Sequence, residues 1–254
     1  METRPLYQRF SSLAGGLIRR AAHLFWPSQC LVCRAAIHPD DAQLCGICWQ
    51  NLSKAVASDY CRRCGRQVSP FGIVDGCCGG CRDETYHYDG IARVGVYEST
   101  LRALILAFKF GEQTELAARL SAMLRQSLSA VPFYRHIDLV VPVPLHWRRR
   151  LQRGYNQSHL LARRVRPAQT PVSADLVRIR HTLQQWDLNP AQRRRNVKGA
   201  FAVRKGHPFT GKTILLVDDI STSGATLSEC AKTLKQAGAK AVYTAVLATA
   251  FHDD

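Results

Sequence analysis

The 254-residue chain contains no apolar run approaching the roughly 20 residues of a membrane-spanning helix, which excludes a helical transmembrane protein on sequence grounds. Acidic residues are scarce: 19 Asp and Glu stand against 35 Lys and Arg, a formal charge of +16. Cysteine is nearly absent outside one segment, since nine of the ten fall between residues 30 and 81. They come as four CxxC pairs plus Cys77, a metal or redox spacing that argues against a secreted disulfide framework. Residues 1–26 lack both an uninterrupted apolar core and a small-residue cleavage site, so they do not read as a signal peptide. Together these features point to a reducing, cytoplasmic setting.

The positive charge is uneven. Residues 135–205 carry +13, residues 1–134 carry +4 and residues 206–254 carry −1. Such a central field favours polyanions, namely nucleic acid, polyphosphates or a membrane surface; the bland alternative is a solvated basic face. Near the start, Phe10, Leu13, Leu17, Ala21 and Leu24 recur at helical spacing. They predict an amphipathic helix over residues 1–26 that packs on the body. Peripheral membrane contact, partner binding and an organelle transit peptide are the alternatives.

Cys30-x2-Cys33 with Cys45-x2-Cys48, and Cys61-x2-Cys64 with Cys78-x2-Cys81, make two tandem blocks. A zinc ion takes four thiolates in a tetrahedron, and each CxxC supplies two from one tight turn. Residues 27–84 therefore read as a double zinc-ribbon module holding two structural Zn²⁺ ions. Sequential and interleaved pairing both satisfy the spacing. Cys77 is a spare or substitute ligand, and Cys230 is expected in the core.

From residue 85 onward, strand and helix signals alternate. Strands are expected at 90–98, 137–144, 173–180, 213–219 and 239–249. Helices are expected at 99–110, 115–128, 156–165 and 223–238, with a long polar loop over 184–201. This order predicts an α/β fold with a mainly parallel sheet over residues 85–254.

GHPFTGKT, residues 206–213, matches the P-loop pattern letter for letter, but it leads into a strand rather than a helix and contains Pro208. It is a decoy. ILLVDDISTSGAT, residues 214–226, has the context the decoy lacks. A buried strand delivers Asp218 and Asp219 to the carboxyl edge of the sheet, where open α/β folds bind ligands. The loop Thr222, Ser223, Gly224, Ala225, Thr226 then opens a helix and can cradle a monophosphate with hydroxyls, N–H groups and the helix dipole. Adjacent carboxylates suit vicinal ribose hydroxyls. The stretch reads as a site for a ribose 5′-phosphate.

That segment resembles the phosphoribosyl-pyrophosphate (PRPP) motif of type I phosphoribosyltransferases. ALILAFKFGE (103–112), VVPVPLHWRRRLQRGYNQSHLLA (140–162) and QRRRNVKGAF (192–201) extend the likeness. With the cysteine module, the chain is similar over residues 27–250 to the ComF family, whose relatives include ComFC competence proteins and GntX-like proteins. The resemblance implies that Asp218 and Asp219 bind the ribose hydroxyls and that Thr222 to Thr226 hold the 5′-phosphate. It places Arg153, Gly154, Tyr155 and Asn156 at pyrophosphate, with Mg²⁺ accompanying PRPP. A mobile loop around 184–198 would bring Arg193, Arg194 or Arg195 over the site. Some purine-salvage relatives carry an acid where this chain has Thr222, so the acceptor is unidentified. Lys109 is either a solvated helix-end lysine or a ligand contact.

Two functions follow. One is a Mg²⁺-dependent phosphoribosyltransferase acting on a nitrogen acceptor with release of pyrophosphate. The other is a non-catalytic accessory protein that binds single-stranded DNA beside DNA-uptake proteins. Arginine clusters at 148–150, 163–164 and 193–195 favour the second, with Trp147, Tyr155 and Trp186 as candidate stacking side chains.

Overall fold

The computed structural model describes residues 28–38, 43–56, 59–69, 71–110, 116–148, 151, 154–182 and 189–251. The expected N-terminal helix, Arg153, Arg149, Arg150 and Trp186 lie outside these residues. The chain divides into two compact units, Met1–Lys54 and Ala55–Asp254. The first holds a cysteine knuckle closed by a bridge between Gln29 and Ala36, and the start of helix α1 (Gly46–Val56).

The second unit begins with another knuckle and a two-strand hairpin, β1 (Ile73–Val74) against β2 (Cys77–Cys78). Its centre is a four-stranded sheet of β3 (Gly90–Val96), β4 (Leu139–Pro142), β7 (Thr213–Ser221) and β8 (Ala241–Thr249), ordered β3-β8-β7-β4. Every pairing in it is parallel. Parallel strands are covered on both faces, so they read as continuous apolar runs. Ile214, Leu215, Leu216 and Val217 of β7 are all fully buried.

Four helices with one apolar face each follow the expected periodicity. In α2 (Ser99–Phe110) the buried set includes Leu101, Leu104, Ile105 and Phe108. In α3 (Leu116–Ser129) it includes Leu116, Leu120, Leu124 and Leu128. Helix α4 (Gln157–Val165) buries Leu161, Ala162 and Val165. Helix α6 (Ala225–Gln236) buries Leu227, Cys230, Ala231 and Leu234, so Cys230 is a core residue as expected. Residues 204–212 form turns that lead into β7, and no helix follows the P-loop-like string.

The polar stretch expected to be loop differs in part. Residues 190–197 form helix α5 (Pro190–Val197). It has no apolar periodicity to read, but its ends are specified. Asn189 caps the Gln192 N–H at 2.9 Å, Gln192 Oε1 accepts from the Asn189 N–H at 2.9 Å, and Pro190 occupies the first turn. Helix α5 is bracketed by β5 (Leu176–Arg178) and β6 (Phe201–Val203), which pair antiparallel as a ribbon apart from the main sheet.

Candidate functional site

Each cysteine block gathers its own four sulfurs within 4.8 Å of one another: Cys30, Cys33, Cys45 and Cys48, then Cys61, Cys64, Cys78 and Cys81. Pairing is therefore sequential. Zinc–sulfur bonds of about 2.3 Å in a tetrahedron set sulfur–sulfur edges of about 3.8 Å. The observed edges are 3.6 Å for Cys33–Cys45, 3.8 Å for Cys61–Cys81, and 3.6 Å for both Cys64–Cys78 and Cys78–Cys81. All are far longer than a disulfide and fit a zinc ion. Four thiolates leave no open position, so each site is structural. Cys77 joins neither; its thiol faces the Val74 carbonyl at 3.5 Å.

Because the four main strands run parallel, their carboxyl ends share one edge. A cavity of about 570 Å³ opens there, within the size range of small-molecule sites. Asp218 and Asp219 enter it from β7, Thr222 from the following loop, Thr226 from the first turn of α6, and Val143 to Leu145 from the segment after β4. Its cationic walls come from elsewhere: Lys109 at the end of α2, Arg178 on β5 and Arg193 on α5.

The two carboxylates are held differently. Asp219 Oδ2 meets Lys109 Nζ at 3.0 Å, with both side chains about nine-tenths covered. Asp218 Oδ1 accepts from Ser158 Oγ at 2.8 Å and from the Asp219 N–H at 2.9 Å. Burial and the neighbouring Asp219 charge nevertheless push the Asp218 carboxyl up to about 7, against the pull of those hydrogen bonds and of Lys109.

The segment Tyr155 to Ser158 sets this geometry. Asn156 caps α4 by accepting from the Ser158 N–H at 3.0 Å, and its amide donates to the Val143 carbonyl at 3.2 Å. Tyr155 donates its hydroxyl to the Phe108 carbonyl, and Gln157 donates to the Lys109 carbonyl at 3.3 Å. One short segment thus fixes the loop after β4, the end of α2 and the hydroxyl on Asp218.

Of the residues expected at the site, the structure brings Asp218, Asp219, Thr222, Thr226 and Arg193 to the cavity wall. Ser223, Gly224, Ala225, Gly154, Tyr155, Asn156 and Arg194 are not among its lining residues. Gly224 begins α6 at φ +73°, and a Cβ there would sit 2.8 Å from the Tyr86 ring. The Ser221 and Ser223 hydroxyls are shut off from solvent with no hydrogen-bond partner, an arrangement that costs about 1–3 kcal/mol per group. Arg194 is exposed and pairs with Glu84 at 3.0 Å. Lys109 is not a solvated helix-end lysine: it lines the cavity and pairs with Asp219, and Gln157 and Ser158, also on the wall, lie within the quoted RGYNQS string without having been singled out. Arg66, Arg93 and Arg178 carry no local motif; only tertiary packing brings them in.

Comparison with known proteins gives two family matches: a double zinc ribbon domain over residues 21–82 and a phosphoribosyl transferase domain over residues 152–253. Competence protein F of Haemophilus influenzae is 31% identical over 233 residues, spanning 89% of this chain and 99% of that protein. DNA utilization protein YhgH of Escherichia coli is 32% identical over 227 residues, covering 85% and 94%. Competence protein ComFC of Bacillus subtilis is 27% identical over 230 residues, covering 82% and 89%.

Proposed function

The chain belongs to the competence protein F family, and from that premise we propose that its sheet-edge cavity binds PRPP with Mg²⁺ and serves phosphoribosyl transfer to a nitrogen acceptor. The observation that carries this reading is the placement of Asp218 and Asp219 beside Thr222 and Thr226 in one cavity. The carboxylates accept from the ribose hydroxyls, while the loop entering α6 receives the 5′-phosphate. Ser221 and Ser223, whose buried hydroxyls lack partners, gain one by a small rotation of that loop onto a phosphate.

Mg²⁺ favours oxygen donors, keeps several waters and binds largely through substrate phosphates. The donor set fits, since both carboxylates are held at the edge where those phosphates lie. When bound, the metal neutralises charge on the departing pyrophosphate. Lys109 and Arg193 add fixed positive charge in a partly dehydrated site. Thr222 has no useful basicity near neutral pH, so the phosphate loop contributes no general base.

Calorimetric titration of PRPP with Mg²⁺ into the wild type and an Asp218→Asn/Asp219→Asn double variant tests the proposal. Micromolar binding lost in the variant is expected. A folded, zinc-loaded wild type that fails to bind PRPP refutes it.

One observation favours a second reading, single-strand nucleic-acid binding beside the same cavity. Trp147 is 59% exposed, and the Arg148 guanidinium lies 5.2 Å from its ring centroid, two residues beyond cavity-lining Leu145. An exposed aromatic with a stacked cation is a platform for a base. Quenching of Trp147 fluorescence by an oligothymidylate, weakening steeply with salt, is the expected signature.

A further inference from the structure

The Arg163-Arg164 pair lies at the end of the sheet opposite the cavity. Helix α4 starts at the cavity, where Ser158 Oγ meets Asp218, and its nine residues run about 14 Å away from it. Its last turn carries Arg163 and Arg164. The far end is fixed by Tyr134, whose hydroxyl donates to the Val165 carbonyl at 2.5 Å. Tyr134 belongs to the 3₁₀ turn Pro132–His136, which leads into the start of β4. The pair therefore sits where the parallel strands begin, whereas the cavity sits where they end.

Other cations converge on the same edge. Burial pushes the Tyr134 phenol up, and the charge of nearby Arg125, on α3, opposes it. Arg135 follows Tyr134 in the 3₁₀ turn. Lys212 and Lys240 stand immediately before β7 and β8, and the Lys240 N–H donates to the Lys212 carbonyl at 2.9 Å. These six residues are exposed, and none makes an ion pair among the described residues. The acids at the strand starts, Asp138 and Asp89, are engaged. Asp138 Oδ2 accepts from the Thr213 N–H at 2.8 Å. Asp89 accepts from the Val242 N–H at 2.8 Å and pairs with a further cation, Lys235, at 2.6 Å. Crowding like charges in this way costs stability that a polyanion restores.

The chemistry of the partner follows from what this edge lacks. No large apolar side chain is exposed on α3, the 3₁₀ turn, α4 or the turns before β7 and β8. The edge therefore offers no aromatic face for an unpaired base and no apolar anchor for a bilayer. What it offers is arginine and lysine on rigid elements, a set that contacts phosphates rather than bases. We propose that this edge binds the phosphate backbone of double-stranded nucleic acid, independently of sequence. A duplex keeps its bases stacked inside and presents one charge per about 1.7 Å of its axis. The starts of β4, β7 and β8 are neighbours spanning two strand spacings, about 10 Å, which faces roughly six of those charges. The surface is separate from the cavity, so the proposal stands whether or not the cavity takes PRPP.

The test is fluorescence anisotropy of the zinc-loaded full chain with a labelled mixed-sequence duplex, against an oligothymidylate and phosphatidylserine vesicles as competitors. At about 0.9 per neutralised phosphate, five or six contacts give the wild type a slope of about −5 in log K against log salt. Arg163→Gln/Arg164→Gln removes two contacts, so the slope becomes shallower by about 2 and affinity falls at least tenfold. Lys212→Gln/Lys240→Gln, on different elements, gives a comparable loss. Both variants keep two zinc ions and the wild-type melting temperature, because all four side chains are exposed. Failure of the wild type to bind the duplex, or equal affinity in the wild type and both variants, overturns the proposal. So does preferential binding of the vesicles, which assigns the edge to a lipid surface. Preferential binding of the oligothymidylate with quenching of Trp147 overturns it too, by placing the strand at the cavity end.

Discussion

Lys109 Nζ lies 3.0 Å from Asp219 Oδ2, joining the end of α2 to the double-aspartate strand across the cavity. The pair is nearly covered, and Lys109 also holds down the neighbouring Asp218 carboxyl. Removing the lysine leaves two adjacent carboxylates with less compensation, so one binds a proton more tightly. Lys109→Met is expected to move the pH midpoint of PRPP binding upward and to lower affinity at pH 7 by tenfold or more. Calorimetry from pH 6 to 9 reads both effects; an unchanged midpoint denies Lys109 this role.

Asp218 makes a separate claim about stability. Its carboxyl, raised to about 7 from an ordinary 3.8, holds a proton in the folded chain that the unfolded chain has released. Where the native state binds more protons, stability falls as pH rises. The loss therefore accumulates between about pH 4 and 7 and is complete above it. Asp218→Asn should flatten that fall and melt several degrees higher than wild type at pH 8, while abolishing PRPP binding. Differential scanning fluorimetry across pH decides it: a wild-type melting curve that rises through this window contradicts the assignment.

The two zinc sites should behave unequally. Cys64 sits in the unit that contains the sheet, and its knuckle is hydrogen-bonded to β3 and β8; Cys45 belongs to the other unit. Each Cys→Ser change removes one zinc ion. Cys64→Ser is expected to lower the melting temperature by more than about 10 °C, since structural zinc contributes many kcal/mol and each one moves a chain of this size by about 2–4 °C. Cys45→Ser should leave the melting of the sheet unit within about 2 °C. Metal analysis with melting curves checks both, and equal destabilisation by the two changes runs against the division of the chain.

At Gly224 the backbone has φ +73°, and a Cβ would meet the Tyr86 ring at 2.8 Å and the Tyr88 hydroxyl at 3.0 Å. A left-handed conformation alone costs an ordinary residue roughly 1–2 kcal/mol. Gly224→Ala should therefore destabilise the fold by about 2 kcal/mol or more and weaken PRPP binding through the displaced loop. Denaturant melts settle the first part; a loss below about 0.5 kcal/mol contradicts the steric argument.

What the sequence disclosed was local. The β7 strand, its two acids and the following loop form one continuous signal, and the four apolar-faced helices announce themselves by period. Helix α5 did not, because Val197 as its one buried apolar side chain makes no stripe; its Asn-Pro-x-Gln caps were the legible trace. Arg66 and Arg93 were illegible for a different reason. One lies in a cysteine knuckle and the other inside a strand, and only the packing of the knuckle on β3 and β8 brings both to the wall of one cavity.

The run Arg193-Arg194-Arg195 shows the same limit at the scale of one turn. In sequence the three are equivalent, but a helix rotates successive residues by about 100°. Helix α5 consequently buries Arg193 in the cavity wall and sends Arg194 to Glu84 at the surface, with Arg195 exposed. An exposed ion pair contributes about 0–1 kcal/mol, whereas a covered guanidinium facing phosphates makes charge-assisted bonds worth more. Arg193→Ala is expected to weaken PRPP or pyrophosphate binding at least tenfold, with poor rescue by Arg193→Lys because the ammonium lacks the planar fork. Arg194→Ala should change affinity less than about twofold and stability by less than about 1 kcal/mol. Titration of pyrophosphate into the three variants separates them, and equal losses in Arg193→Ala and Arg194→Ala mean that the site closes over both side chains when it fills.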